Sequence, residues 1–571
     1  MKIYHHDALV IGTGAAGYNA AIRLKEQGVD VAMVTEGVER GTSRNTGSDK
    51  QTYYKLGLGG DTPDSIAKMA EDLFRGGCVD GDNALCEAAL SARCFLHLCE
   101  LGVEFPVNRY GEYVGYKTDH DPHARATSAG PLTSKFMTEA LQKKAQALNI
   151  PVYDGCYAIQ VLKNNDRVCG LLCSTSREPV IFRCGDIVMA TGGPAGIYAD
   201  SVYPECHTGS TGLAIKAGAK LQNLALWQYG LASVSPRWNV SGTYMQVLPR
   251  FVSLDAEGKE HDFLWEHFAD PYTGLSLVFL KGYQWPFDPQ KAENGSSLID
   301  MLVYRERVEK GRRVYLDFTK NPFPMDFSKL SEEAFAYLDQ AGATFGTPIE
   351  RLAKMNAPAI ALYKSKGVDL YTQYLEIALC AQHHNGGVGV DLWWQSSVRG
   401  LFAVGECAGT HGISRPGGSA LNAGQVGALR AARYIARHPN EPTDKMEFLD
   451  IIADVDYRKP VDVTAAMEKA RRRMSDCAGA VREPEKIKEA LQTTLRELKN
   501  AKDPKLLDVL LTQAAVLTAM SRPNTDPGLV QEVCFTGEAF TVTLRPVRPI
   551  PREDSFFENV WRSYRENQNV F

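Results

Sequence analysis

The chain has 571 residues, of which 44% are hydrophobic and 23% charged, the proportions of a soluble globular protein with two to four domains. Lys and Arg number 63 against 68 Asp and Glu, and the formal net charge of -5 argues against a general nucleic-acid binder. No apolar run is long enough to cross a bilayer, and the N-terminal segment lacks a signal-peptide pattern, so we expect a cytoplasmic protein without membrane insertion.

An apolar run near the N-terminus ends in Gly12, Gly14 and Gly17, and a helical pattern follows at once. This spacing is the G-x-G-x-x-G fingerprint in its strand–turn–helix context. Gly12 allows the tight turn, Gly14 lets the backbone approach a pyrophosphate, and Gly17 allows close packing of helix on strand. Ala15 and Ala16 open the helix, whose N-terminal amides would face the phosphates. The sequence therefore predicts a dinucleotide site.

Three later segments specify the dinucleotide. A second strand ends at Glu36, about 20 residues past the glycines, where a carboxylate can accept the ribose hydroxyls. Residues 186–193 form an apolar strand that ends in threonine and two glycines, and residues 400–406 form another that ends in Gly-Glu. Both resemble the later FAD-contacting strands of glutathione-reductase-like flavoproteins. The FAD contacts expected there are Ala190, Thr191, Gly192, Gly405 and Glu406.

The 13 cysteines are odd in number and contain no C-x-x-C pair, the usual unit of zinc and iron–sulfur sites. We therefore predict reduced thiols and no metal site in this chain. If the protein exchanges electrons with an iron–sulfur cluster, another polypeptide must hold that cluster.

Further motifs follow one another in a defined order along the chain. They are Asn45-Thr46-Gly47 and residues 190–198, 208–219, 314–317, 383–388 and 411–419. Their order and spacing resemble the fumarate reductase and succinate dehydrogenase flavoprotein superfamily, which includes L-aspartate oxidase and adenylylsulfate reductase. The resemblance covers nearly the whole chain and implies that Asn45, Thr46, Gly47, Ser419 and Leu421 also contact FAD.

The resemblance implies an α/β architecture in three parts. Residues 1–225 and 360–440 would form a Rossmann-like, glutathione-reductase-like FAD-binding domain. Residues 226–359 would form an inserted α+β cap domain over the flavin, and residues 441–571 a mainly helical C-terminal region. Helical periodicity at 486–498 and an alternating segment from 539 predict a helix and then a strand within that last region.

At the substrate site the resemblance is incomplete. Arg415 matches the family's carboxylate-binding arginine, a residue type suited to bidentate pairing. The family's substrate-contacting histidine and threonine are absent from residues 227–231, and no arginine stands at 257–264 where a proton-transferring one is expected. Gln382 occupies the position of a substrate histidine, so His383 could serve only if the loop is shifted by one residue. Succinate and fumarate are therefore not the expected substrates.

Several residues could replace the missing groups. Tyr229, His383 and His384, with His261, can each donate or accept a proton. The alternatives are a loop histidine bonded to backbone for His383 and His384, and a buried aromatic with a satisfied hydroxyl for Tyr229. Arg237 and Arg250 could hold an anion. We also favour pocket lining over a core position for a group of cap aromatics, namely Trp227, Tyr229, Trp238, Tyr244 and Phe251.

These observations predict a dehydrogenase or reductase that transfers hydride between flavin N5 and a small, anionic substrate. Its electrons would pass to or from a separate iron–sulfur or cytochrome protein. An oxygen-using oxidase resembling L-aspartate oxidase is the alternative, and an FAD-binding module for RNA modification is a remote one. Because residues 43–47 contain no histidine for covalent attachment, we expect non-covalent FAD.

Overall fold

The computed structural model describes residues 2–60, 63–441, 443–453, 461–552 and 554–566. Its strands are β1 (Lys2–His5), β2 (Ala8–Ile11), β3 (Val31–Val34), β4 (Thr52–Tyr54), β5 (Ala126–Ser128), β6 (Val152–Tyr153), β7 (Tyr157–Asn164), β8 (Arg167–Ser174), β9 (Val180–Arg183), β10 (Asp186–Met189), β11 (Leu221–Gln222), β12 (Trp227–Ser233), β13 (Trp238–Asn239), β14 (Arg250–Leu254), β15 (Glu260–His261), β16 (Arg313–Asp317), β17 (Leu375–His384), β18 (Gly387–Val388), β19 (Leu401–Ala403), β20 (Leu529–Phe535) and β21 (Phe540–Pro546).

Its α-helices are α1 (Ala15–Glu26), α2 (Thr42–Asn45), α3 (Ile66–Arg75), α4 (Gly81–Glu100), α5 (Thr133–Ala147), α6 (Thr211–Ala217), α7 (Thr243–Gln246), α8 (Phe263–His267), α9 (Pro271–Leu280), α10 (Ser297–Tyr304), α11 (Glu332–Gln340), α12 (Pro348–Ser365), α13 (Ser419–Arg437), α14 (Lys445–Ala453), α15 (Thr464–Cys477), α16 (Pro484–Asn500), α17 (Pro504–Met520) and α18 (Phe557–Arg565).

A five-stranded parallel sheet, in the order β19-β10-β2-β3-β6, forms the base of the molecule. The strands β2, β3 and β10 are buried along their whole length, as expected for short apolar strands of a parallel sheet covered on both faces. Helix α1 connects β2 to β3 and packs against α5 and α13. Because the strands are parallel, the segments that follow β2, β3, β10 and β19 meet at one edge. The mixed α/β fold expected from the sequence is present.

A six-stranded antiparallel sheet, in the order β13-β12-β17-β16-β14-β15, stands apart from the parallel one and has its own apolar core. Strand β17 pairs with both β12 and β16. The sheet that begins within the predicted cap therefore continues beyond residue 359, to the end of β17. The predicted domain limits stay a prediction.

The C-terminal region contains α15, α16 and α17, followed by the β20–β21 hairpin, which joins β11 and β18 in a four-stranded sheet. The predicted helix at 486–498 lies within α16, and the predicted strand from 539 corresponds to β21. Helix α17 packs against α6, which in turn packs against β7. Among the described residues, none of the helices combines the length and apolarity needed to span a bilayer.

Candidate active site

Three backbone segments approach so closely at the carboxyl edge of the parallel sheet that side chains cannot fit between them. Gly12 has φ +106°, and a Cβ there would lie 2.5 Å from the carbonyl oxygen of Ala190. A Cβ on Gly17 would lie 2.2 Å from the carbonyl oxygen of Gly12. Glycine is therefore required at both positions for β2, α1 and β10 to pack together. Helix α1 begins after Gly14 without a side-chain cap.

A cavity of about 810 Å³ extends from this turn to the six-stranded sheet, a volume typical of ligand and cofactor sites. Thirteen of the sixteen predicted FAD contacts line it: Gly12, Gly14, Ala15, Ala16, Glu36, Thr46, Gly47, Ala190, Thr191, Gly192, Gly405, Glu406 and Leu421. The other three, Gly17, Asn45 and Ser419, lie outside the lining. Asn45 donates to the carbonyl oxygens of Glu39 and Gly41 through Nδ2, at 2.9 and 3.0 Å.

Two helix N-termini open into the cavity and make it suitable for a ligand with negative charge. One belongs to α1, where the amide of Ala15 donates a long 3.3 Å hydrogen bond to Ser43 Oγ. The other belongs to α13, whose N-terminal residues Gly418, Ala420 and Leu421 line the cavity. Free amides and the helix dipole attract phosphate and other electron-rich groups. The residues present therefore fit a dinucleotide that spans the cavity.

Arg415 lies at the α13 end, in the cavity wall, and is only 6% exposed. Its Nε and Nη2 both donate to Gln228 Oε1, at 3.0 and 2.6 Å, and its Nη1 donates to the carbonyl oxygen of Pro416 at 3.3 Å. Burial lowers the pKa of Arg415 to about 10, so the group stays charged at neutral pH. Gln228 and Pro416 thus fix the orientation of the guanidinium, and the second N–H of each Nη remains able to donate to an anion.

A β-bulge brings two consecutive side chains of β17 to the cavity. His383 pairs with Gln228 while Ala381 pairs with Tyr229, so Gln382 is an extra residue on that strand. Bulges redirect side chains and are frequent beside active sites. Gln382 and His383 both line the cavity. The substrate role of His383 stays a prediction.

The hydrogen bonds of His383 define its tautomer. Its Nδ1 donates to Asn385 Oδ1 at 2.9 Å, and Asn385 is itself oriented by donating from Nδ2 to the carbonyl oxygen of Gly412 at 2.8 Å. Nε2 is therefore the lone-pair nitrogen, 3.8 Å from Glu406 Oε1. Burial, together with the positive charge of Arg415, holds the pKa of His383 well below its usual range. His383 is a neutral acceptor at this site.

Glu406 lies in the cavity wall and contacts two other segments of the chain, one at Tyr203 and one at His384. Its Oε1 accepts hydrogen bonds from the Tyr203 hydroxyl and, at 2.9 Å, from the backbone amide of His384. A Cβ on Gly193 would lie 2.3 Å from the same oxygen. Burial raises the pKa of Glu406 to about 7. The acid predicted from the Gly-Glu motif is thus held rigidly in the cavity wall.

Asp119 is a cavity residue that the sequence motifs did not reveal. It lies on the segment that covers the Arg415 loop, where the carbonyl oxygen of Asp119 accepts from the amide of Gly417 at 3.2 Å. Two residues later, Asp121 accepts from the Tyr54 hydroxyl at 3.2 Å and anchors the segment. Burial raises the pKa of Asp119 to about 7, against the opposing effect of nearby cations that include Arg415. No local motif marks this aspartate.

Tyr229 and His384, both predicted to be catalytic, do not line the cavity. The Tyr229 hydroxyl donates to the carbonyl oxygen of Ala478 at 2.9 Å. His384 Nε2 lies 3.2 Å from the carbonyl oxygen of Leu224, and its ring stacks on Trp227 with centroids 4.1 Å apart. Both side chains pack into the protein behind the cavity wall, so we do not carry their predicted roles forward.

The expected aromatic lining was wrong. Trp238, Tyr244 and Phe251 are fully buried in the apolar core of the six-stranded sheet, and none of the five cap aromatics lines the cavity. The aromatic side chains that do so are Tyr116, Tyr157, Tyr203, Tyr283, Trp285 and Tyr337.

The remaining substrate-site candidates, Arg250, His261 and Arg237, bind other protein groups away from the cavity. Arg250 pairs with Asp262 at 2.6 Å and with Glu260 at 2.8 Å. His261 Nε2 lies 2.8 Å from an Asp255 oxygen. Arg237 donates to the carbonyl oxygen of Tyr203 at 2.8 Å. None of the three lines the cavity.

Comparisons with known proteins agree with the geometry. The model of the FAD binding domain family FAD_binding_2 matches residues 7–421. A fumarate reductase (CoM/CoB) chain of Methanothermobacter marburgensis is 26% identical over 451 residues, 76% of this chain and 73% of the relative. L-aspartate oxidase of Agrobacterium fabrum is 24% identical over 530 residues, 90% of this chain and 89% of the relative.

Solved structures share the fold over almost the entire length. Sdh1 of Mycobacterium smegmatis superposes with a TM-score of 0.72 at 19% identity, and the match covers 97% of this chain and 96% of that one. The superfamily resemblance predicted from the motifs is confirmed.

Proposed function

Since the chain belongs to the FAD binding domain family and is an FAD-dependent oxidoreductase, we propose that it acts on a small anionic substrate at the Arg415 end of the cavity. FAD, when bound, supplies hydride exchange at its flavin N5. The protein's own contribution is to hold the substrate, exclude water and move a proton. We further propose that FAD is held non-covalently and that the chain divides into FAD-binding, cap and C-terminal parts, with the cap's sheet continuing to the end of β17.

The observation that carries this proposal is the state of Arg415. The guanidinium is buried and charged, yet its hydrogen bonds go to two neutral groups, the amide of Gln228 and the carbonyl of Pro416. A buried charge is costly unless an opposite charge pairs with it. A carboxylate or similar anion that accepts from the remaining Nη N–H groups would supply that charge. Such a contact would also fix the substrate's orientation.

We propose that this substrate is neither succinate nor fumarate. Gln228 occupies part of the segment where the family has its substrate histidine and threonine, and it holds Arg415 instead. Gln382 occupies a second histidine position, and it lies in the cavity with Oε1 buried and unpartnered among the described residues. The neutral amides of Gln228 and Gln382 therefore lie where the binding of a dicarboxylate would need positively charged hydrogen-bond donors.

Asp119 is the group best placed to exchange a proton with the substrate. It lines the same end of the cavity as Arg415, and its pKa of about 7 matches a group that must both gain and lose a proton near neutral pH. During substrate oxidation its carboxylate would accept the proton while hydride leaves the adjoining atom. His383 is the weaker base because its pKa is held low.

We propose that electrons are exchanged with a separate iron–sulfur or cytochrome protein. The cysteines of this chain contain no C-x-x-C pair. The Methanothermobacter relative is named as one of the subunits of its enzyme, which supports a multi-protein arrangement.

An oxygen-using oxidase is the second candidate function. The observation in its favour is that an L-aspartate oxidase matches 90% of this chain, a larger share than the fumarate reductase relative matches.

The first prediction concerns Arg415. Arg415→Ala should slow anaerobic flavin reduction at least about 100-fold because the substrate loses its charged anchor, while bound FAD remains at the wild-type level. The measurement is flavin bleaching with a panel of anionic amino acids and unsaturated acids. Arg109→Ala, at an exposed position, is the control and should behave as wild type. A wild-type rate in Arg415→Ala would remove the residue from the mechanism, and bleaching by no anionic compound would count against the anionic substrate itself.

The second prediction concerns pH. The rate of substrate oxidation should rise with pH through about 7, because Asp119 accepts a proton only as the carboxylate. Burial raises the pKa of Asp119 to about 7, and the positive charges of Lys281, Lys291 and Arg415 keep it from rising further. In Asp119→Asn the rate should fall about 100-fold and the rise near pH 7 should disappear. Rates would be measured from pH 5 to 9 with whichever panel compound bleaches the flavin. An unchanged profile in the variant would assign the proton to another group.

The third prediction separates the two candidate functions. Reduced wild-type protein should reoxidise slowly in air-saturated buffer in a stopped-flow experiment and rapidly with a one-electron mediator. Fast decay in air, at a rate comparable to substrate turnover, would favour the oxidase.

A further inference from the structure

The C-terminal region reaches the part of the cavity that Glu36 and Tyr157 line. Lys505, in the first turn of α17, places Nζ 2.7 Å from Oε1 of Glu36, the acid that follows β3. The same Nζ lies 5.6 Å from the ring centre of Tyr157, which lines the cavity. The pair joins residues that are 469 positions apart in the chain. Nothing in the glycine fingerprint calls for this lysine.

The position of Lys505 is fixed by its surroundings. Asp503 caps α17, and its Oδ1 accepts from the amides of Lys505 and Leu506, each at 2.9 Å. One turn further along the helix, Asp508 packs against α6, where a Cβ on Gly212 would lie 2.6 Å from Asp508 Oδ1. Helix α17 is therefore held in place at both points, and Lys505 contacts Glu36 from a fixed position.

The two cations next to Glu36 both contact the same carboxylate oxygen, Oε1. Arg40 Nη1 lies 3.2 Å from Oε1, the oxygen that also binds Lys505. Oε2 is left for the ribose hydroxyls that an acid at this position accepts. A carboxylate near a pyrophosphate is also disfavoured by repulsion between like charges, and a neighbouring ammonium offsets that repulsion. The lysine side chain is 28% exposed and that of Arg40 57%, so Lys505 is the less solvent-screened of the two.

We propose that Lys505 is a positioning residue for the adenosine half of FAD, acting through Glu36. It offsets the repulsion between this carboxylate and the phosphates and orients the carboxylate toward the ribose. The C-terminal region thereby takes part in cofactor binding. This inference depends on FAD binding alone and is independent of the proposed substrate.

The test is the dissociation constant for FAD, measured by flavin fluorescence quenching on the full-length apoprotein. Lys505→Met should raise Kd about tenfold, the effect of losing one hydrogen bond to a charged group, and Lys505→Arg should restore most of the affinity. The control is Lys502→Met, an exposed lysine three residues earlier, which should bind FAD as wild type does. Circular dichroism and Tm would establish that each variant is folded.

A double-mutant cycle separates positioning from a merely structural role. If Lys505 acts through Glu36, then Lys505→Met should add less than about a twofold loss of affinity in a Glu36→Ala background. Additive losses would show that Lys505 acts independently of Glu36 and would overturn the proposal. An unchanged or lower Kd in the single variant would overturn it as well, because the pair would then be a surface ion pair with no effect on the cofactor.

Discussion

The close approach of three backbone segments at the edge of the parallel sheet is the constraint on which the rest of the site depends. Gly12 and Gly17 leave no space for side chains between β2, α1 and β10. This contact opens the first turn of α1 into the cavity and sets the distance from β2 to Ala190. Without it, the N-terminus of α1 and Ala190 could not line the same cavity as closely as they do. A local requirement for glycine thus shapes the part of the cavity where β2, α1 and β10 meet.

The far end of the cavity is governed by charge balance. Arg415 is a buried cation bonded to neutral groups, and the acids around it, Glu406 and Asp119, both have pKa values raised to about 7. His383 is neutral. Such a site can accept an anion without a large rearrangement because its carboxyl groups can take up protons when charge is added or removed. The same property suits it to proton exchange during a redox reaction.

Features coded by local spacing could be predicted from the sequence, whereas features formed by long-range packing could not. Glu36 and Glu406 follow apolar strands directly, and the ends of parallel strands meet at one edge. Gln228 contacts Arg415 across 187 residues, and Lys505 contacts Glu36 across 469; no periodicity signals such pairs. The sequence alone could not tell which of the adjacent histidines, His383 or His384, faces the cavity. Consecutive residues on a strand face opposite sides, and the β-bulge decides which of the two sides faces the cavity.

The most direct test of this account is a crystal structure of the FAD-loaded protein. It should show the pyrophosphate at the amides that follow Gly14, the adenosine ribose on Glu36, and the flavin ring at the end formed by Gln382, His383 and Arg415. Density for the flavin ring at the Glu36 end, or for FAD outside this cavity, would contradict the account.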